Sequence, residues 1–242
     1  MELLAGTSGY SYKEWKGSFY PAKLAADGWL RYYAERFPTV EINNTFYRMP
    51  GEGMLTRWAD EVPAHFAFTL KAPRRITHDK RLKDADAELA ELLRRAARLG
   101  PKLGPLLFQL PPSLKKDLAL LGDFLDALPP GRQIAFEFRH STWQDEQVYE
   151  ALRTRNAMLC TADTDEGDPP PLVATAKFGY VRLRREAYSD RDLKNWVKRI
   201  AAQPWTRAYA YFKHEDEATG PKFAARLAKL WEAAQGSGKA PR

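Results

Sequence analysis

Gln133-Ile-Ala-Phe-Glu-Phe-Arg139 is the stretch on which the reading of this chain turns. Side chains alternate across a strand, so Ile134, Phe136 and Phe138 share one face and Ala135, Glu137 and Arg139 the other. A strand in a sheet covered on both faces reads as continuously apolar. This one carries an acid and a base at alternate positions, so its apolar face should meet helices and its polar face should point into an enclosed lumen. The same division recurs along the chain. Val40 and Ile42 oppose Glu41 and Asn43. Phe66, Phe68 and Leu70 oppose Ala67, Thr69 and Lys71. Leu106, Phe108 and Leu110 oppose Leu107 and Gln109. Cys160 and Ala162 oppose Thr161 and Asp163. Val181 and Leu183 oppose Arg182 and Arg184, and Ala208, Ala210 and Phe212 oppose Tyr209, Tyr211 and Lys213.

These runs, with Leu3–Thr7, make eight candidate strands: 3–7, 39–43, 66–71, 105–110, 133–139, 157–163, 180–184 and 207–213. Helical periodicity lies between them. Leu89, Leu92, Leu93, Ala96 and Leu99 recur at three- and four-residue steps, as do Leu118, Leu121, Leu125 and Leu128. Leu193, Trp196, Val197 and Ile200 follow Ser189 and Asp192, a capping-box pair. Phe223, Leu227, Leu230 and Trp231 form the last stripe. Shorter helices are expected over 28–36, 53–60 and 145–155. Strand then helix, eight times in 242 residues, predicts an α/β fold of the (β/α)8 TIM-barrel type. The sixth unit is irregular: 163–177 has no helical period and contains Pro169-Pro-Pro171, so a loop replaces its helix. The expectation is a single barrel domain over 1–234 with a flexible tail at 235–242.

In nearly every strand the charge falls late, at the carboxyl end, where barrel enzymes keep their active sites. Three acids, Glu41, Glu137 and Asp163, and four bases, Lys71, Arg139, Arg182 and Lys213, with Arg184 as a fifth, would crowd one mouth. Charges withdrawn from water must be paired, and pairing leaves a small positive excess that could hold an anion. Glu137 is the expected general base. Arg139 and Arg182 suit bidentate contacts to phosphate or carboxylate. A plug of structural ion pairs is the competing interpretation.

Gly6-Thr-Ser-Gly9 opens a loop of about twenty residues, and loops that long are usually functional. It holds Tyr10, Tyr12, Trp15, Phe19 and Tyr20 among lysines. Tyr10 and Trp15 could stack on a planar or sugar-like ligand, or the aromatics could form a small satellite core. Together Gly6-Thr-Ser-Gly-Tyr-Ser-Tyr12, Trp15-Lys-Gly-Ser-Phe-Tyr-Pro21, Glu41-Ile-Asn-Asn-Thr-Phe-Tyr-Arg48, Lys71-Ala-Pro-Arg-Arg-Ile-Thr-His78, Leu103-Gly-Pro-Leu-Leu-Phe-Gln-Leu-Pro-Pro112 and Glu137-Phe-Arg-His-Ser-Thr-Trp143 resemble the YecE-like family, domain of unknown function 72. The resemblance implies a TIM-type barrel and supplies no reaction. It carries the family's motif positions onto Glu41, Asn43, Asn44, Lys71, Gln109, Glu137, Arg139 and His140. Where relatives often have Arg-Leu-His-Gly, this chain has Arg182-Leu-Arg-Arg185. Where they often have Phe-Asn-Asn, it has Phe212-Lys-His214. Both departures add positive charge.

Composition narrows the classes. With 38 Lys+Arg against 31 Asp+Glu the net charge is +7, and residues 177–199 carry eight bases against three acids, an excess of five. That segment could bind nucleic acid, although most charge runs on helices are merely solvated. One cysteine, Cys160, excludes an internal disulfide framework and fits a cytoplasmic protein with a buried thiol. No apolar run is long enough for a membrane span. No organic cofactor is implied. Four scattered histidines do not suit a zinc cluster; Glu41, Glu137 and Asp163 could hold a hard divalent cation with water, but the nearby bases oppose it. The function expected is an enzyme, a hydrolase or a lyase or isomerase, acting on a small anionic, phosphate-bearing ligand. The alternatives are a nucleic-acid-binding or endonuclease-like protein and a non-catalytic scaffold.

Overall fold

Parallel strands with helical crossovers make up the chain, and the computed structural model describes residues 1–167, 170–214 and 216–236. The strands are β1 Glu2–Ser8, β2 Thr39–Ile42, β3 Ala67–Lys71, β4 Leu103–Gln109, β5 Ile134–Glu137, β6 Met158–Leu159, β7 Thr161–Asp163, β8 Phe178–Leu183 and β9 Arg207–Phe212. The helices are α1 Trp29–Ala34, α2 Glu52–Glu61, α3 Asp86–Ala96, α4 Leu118–Ala127, α5 Glu146–Thr154, α6 Asp190–Ala201 and α7 Thr219–Gly236. The sheet runs β6-β5-β4-β3-β2-β1-β9-β8-β7 and all its pairs are parallel. Because β6 and β7 are consecutive pieces of one segment, the two ends of that order meet and the barrel has eight staves.

The sixth stave is broken for a physical reason. Met158 and Leu159 pair with β5, whereas Thr161–Asp163 pair with β8. The segment after it returns beside β6 and supplies Thr175. Its hydroxyl accepts from Leu159 N at 2.7 Å and donates to the Ala157 carbonyl at 2.7 Å. A side chain thus takes the hydrogen bonds that a ladder to β8 would provide. No helix lies between β7 and β8 among the described residues, as 163–177 implied.

The apolar stripes fall where the periodicity put them. Leu89, Leu92 and Ala96 of α3, and Leu121, Phe124 and Leu125 of α4, are buried. Outside the barrel wall Phe108 and Phe136 stack at 5.5 Å, with the Phe124 ring edge-on to both. The capping box forms: Ser189 Oγ accepts from Asp192 N at 3.2 Å and Asp192 Oδ2 accepts from Ser189 N at 2.9 Å. Helix α7 continues through 235 and 236, where a tail was expected; 237–242 lie outside the described residues. No described helix is long and apolar enough to cross a membrane.

The lumen is filled in layers, as TIM barrels are, and polar side chains stand there beside the apolar Leu107 and Met158. The phenol of Tyr209 donates to Gln133 Oε1 at 2.9 Å. Above it the Tyr211 phenol meets the hydroxyls of Thr39 and Thr69 at 2.7 and 2.8 Å. The charged layer comes next, at the carboxyl ends. β1 approaches β2 so closely that a Cβ on Gly6 would collide with the Thr39 carbonyl. Gly6→Ala is therefore expected to lower stability by about 2–3 kcal/mol, since backbone cannot yield as a flexible side chain can. Thermal melts of the two proteins check this.

Candidate functional site at the barrel mouth

Register sets which side chains enter the lumen. Ser8 lies opposite Glu41, Glu41 opposite Thr69, Gln109 opposite Glu137, and Arg182 opposite Tyr211. Residues paired in a parallel ladder point to the same side, so Ser8, Glu41, Gln109, Glu137 and Arg182 share the enclosed face.

Arg182 is the hub. It is 2% exposed. Its Nη1 donates to Glu137 Oε2 at 2.6 Å and its Nη2 to Glu41 Oε1 at 2.8 Å. Nη2 also reaches Asn43 Oδ1 at 3.3 Å. Both carboxylates are further satisfied. Glu41 accepts from Ser8 Oγ at 2.6 Å and from the Tyr180 phenol at 2.5 Å. Glu137 Oε1 accepts from Arg139 Nε at 2.6 Å. Burial alone would raise both acids, but Arg182 outweighs it. With Arg139 it holds Glu137 at about 2, and Glu41 is also held below its ordinary value. Glu137 is thus held ionised by Arg182 and Arg139.

Arg184 and Lys71 complete the cluster. Arg184 Nη1 stands 4.0 Å from Glu137 Oε1; it is buried and has no hydrogen-bond acceptor. Lys71 Nζ lies 4.0 Å from the centre of the Phe46 ring, a cation–π contact. Burial, reinforced by the Arg182 charge, lowers Lys71 to about 8. His78, beside it, is lowered by burial and by Lys71. Four cations, Lys71, Arg139, Arg182 and Arg184, face two carboxylates, so the mouth carries an excess of two positive charges.

Three expected site residues stand elsewhere. Asp163 faces away from the lumen. In the β7–β8 ladder Ala162 pairs with Arg182 and Asp163 with Leu183, so Ala162 and Cys160 take the inner face and Asp163 the outer one. It is buried against α6, accepting from Arg185 Nε at 2.9 Å, Tyr188 OH at 3.0 Å and Trp196 Nε1 at 3.2 Å. Trp15 is fully buried, packed among Tyr12, Phe19 and Tyr20. It belongs to the satellite core and cannot stack on a ligand. Lys213 is exposed in a second cleft of ≈ 570 Å³ with Asp165, Arg185 and His214, which meets the charged cluster only through Arg184.

A larger cleft, ≈ 1030 Å³, does not lie over the charges but beside them. Tyr10, Tyr12, Asn43, Tyr47, Met54 and Trp58 line it, and Tyr47 is 80% exposed. Tyr10 thus lines an open cleft, and Asn43 is the wall shared by cleft and cluster. The cleft holds no acid of the cluster. Ser8, Tyr180 and the inward Cys160 escape a sequence reading; Tyr180 could have been found, two residues before Arg182 on one strand. Among the described residues no three His, Cys, Asp or Glu side chains converge to hold a metal. The basic segment does not form one face: Arg182 points inward, Arg184 lines the mouth, Arg185 pairs with the outward Asp163, and Arg199 packs on Trp196. That leaves Lys177, Arg191, Lys194 and Lys198 exposed.

The sequence profile described as "Protein of unknown function DUF72" matches residues 4–242. UPF0759 protein YecE of Escherichia coli K12 is 35% identical over 112 residues, 46% of this chain and 41% of that protein, so the match spans well under half of the relative's length. UPF0759 protein YunF of Bacillus subtilis is 24% identical over 217 residues, 83% of this chain and 75% of that one. The crystal structure of a DUF72 family protein from Thermotoga maritima superposes with a TM-score of 0.82 at 26% identity, covering 96% of this chain and 100% of the other.

Proposed function

The chain belongs to the DUF72 family of proteins of unknown function, so its chemistry has to come from its own mouth: we propose that it binds a small anionic ligand, phosphate- or carboxylate-bearing, at the carboxyl end of the barrel and acts on it as an enzyme. The observation that carries this is Arg184. Its Nη1 is buried without an acceptor in a layer that already holds more cations than acids. A buried cationic donor left unpaired is costly, and an anion would supply both the missing charge and the missing acceptor. Glu41 and Glu137 hold the Arg182 guanidinium in place, and Arg139 and Arg184 turn toward the ligand. Lys71, lowered to about 8, suits proton exchange near neutrality better than either glutamate. The single cysteine, Cys160, is buried and free, which fits work in a reducing cytoplasm.

The test is calorimetric titration with 2-phosphoglycolate and inorganic phosphate. Arg184→Gln is expected to weaken binding roughly ten- to a hundredfold, the worth of one charged hydrogen bond. Arg191→Gln, the same loss of charge on the exposed face of α6, is expected to change nothing. If the two variants titrate alike, the proposal fails.

A further inference from the structure

Lys71 differs from every other cation at the mouth. Arg182 grips two carboxylates and Arg139 one. Lys71 Nζ has no carboxylate within ion-pair distance among the described residues; the Phe46 ring lies beneath it instead. Its main chain is pinned, because Thr45 Oγ1 donates to the Lys71 carbonyl at 2.7 Å. Groups of the same sign stand around it: Arg182 from β8 and Arg139 beyond β5. Glu41 and Glu137 are near enough to act on it, but both are committed to Arg182. A lysine half-withdrawn from water beside other cations is the arrangement that makes an amine nucleophilic at neutral pH.

We propose that Lys71 forms an imine with an anionic aldehyde or ketone whose charged group is held by Arg139 and Arg184. This rests on the anion-binding assignment above and names the substrate class for that site. The step balances without any further reactant. The ammonium gives a proton to solvent and its nitrogen lone pair attacks the carbonyl carbon. The carbon–oxygen π pair moves to oxygen, which is protonated, and the carbinolamine expels water as the carbon–nitrogen double bond forms. Overall, ammonium and carbonyl become iminium and one water. The positive iminium would sit where Glu41 and Glu137 already act on the lysine, and their charge favours it.

The experiment treats the full chain at pH 7 with glyoxylate and cyanoborohydride, and reads adducts by peptide mass spectrometry. Lys229, exposed on α7, is the internal reference. Lys71 is expected to be labelled roughly tenfold or more faster than Lys229, because a larger fraction is free amine. Arg184→Gln is expected to remove most of that advantage for glyoxylate and none of it for acetaldehyde, which is uncharged. Labelling of Lys71 at the rate of Lys229 overturns the proposal, as does an advantage equal for both aldehydes in the wild type. Titration of inorganic phosphate in the same preparation separates the two failures. Phosphate bound with Lys71 unlabelled sinks the imine alone, and no phosphate bound sinks the anion site beneath it.

Discussion

Arg182→Met is expected to cost the fold about 3–5 kcal/mol, on the order of 10 °C in melting temperature for a chain of this length. The reason is what it leaves behind. Glu41 and Glu137 are buried, and Arg182 is the group that grips both. Methionine fills much of the volume but answers neither charge: Glu41 would lose its only ion-pair partner among the described residues, and Glu137 would keep Arg139 and the more distant Arg184 alone. Removing all three charges, with Glu41→Gln and Glu137→Gln added, is expected to recover much of the loss, because a buried pair is worth little more than a well-packed neutral substitute. The same layer sets the response to acid. Glu137 is held at about 2 in the fold against 4.5 ordinarily. Its stabilisation is therefore whole above about 4.5 and disappears as the pH falls toward 2, a change of about 3 kcal/mol. Glu41 shifts in the same direction. Urea titrations across that range should slope for the wild type and flatten for the triple variant, which has neither glutamate to protonate. If Arg182→Met melts with the wild type, the layer is not paired in the way its distances imply.

That layer was largely legible in the sequence. Glu41, Lys71, Gln109, Glu137 and Arg182 lie two residues from the next inward position of their own strands, and period-two alternation is a local property. Pairing is not. The Ser8–Glu41 and Tyr180–Glu41 hydrogen bonds join residues 33 and 139 apart, and they exist only once register is fixed. Alternation also says which residues share a side, never which side is inside. In the sixth strand Thr161 and Asp163 were grouped correctly against Cys160 and Ala162 but assigned to the lumen because they are polar. The break at Cys160 and the helix-free return through Thr175 reverse that assignment. Trp15 differs for another reason: aromatic residues in a long loop suit a ligand or a satellite core equally, and what anchors its partner Phe19 in a core, the rings of Tyr32, Tyr33 and Phe37 on and after α1, comes from a different element.

Asp163 gives the sharpest separation of a structural acid from a catalytic one. Asp163→Ala is expected to destabilise the chain by about 3 kcal/mol, because it strands the Tyr188 hydroxyl and the Trp196 indole N–H inside the protein. Arg185 also loses its partner, but its side chain is 23% exposed and can turn to water, so it adds less. Asp163→Asn keeps an acceptor in place and should cost about half as much. Neither change touches the charged layer, whose acids are Glu41 and Glu137, so phosphate affinity in the folded protein should equal that of the wild type. The expectation is reversed at Arg184, where Arg184→Gln should weaken binding and leave the fold intact. If Asp163→Ala instead abolishes phosphate binding in a chain that melts normally, the acid acts at the mouth after all, and the outward face of β7 is misassigned.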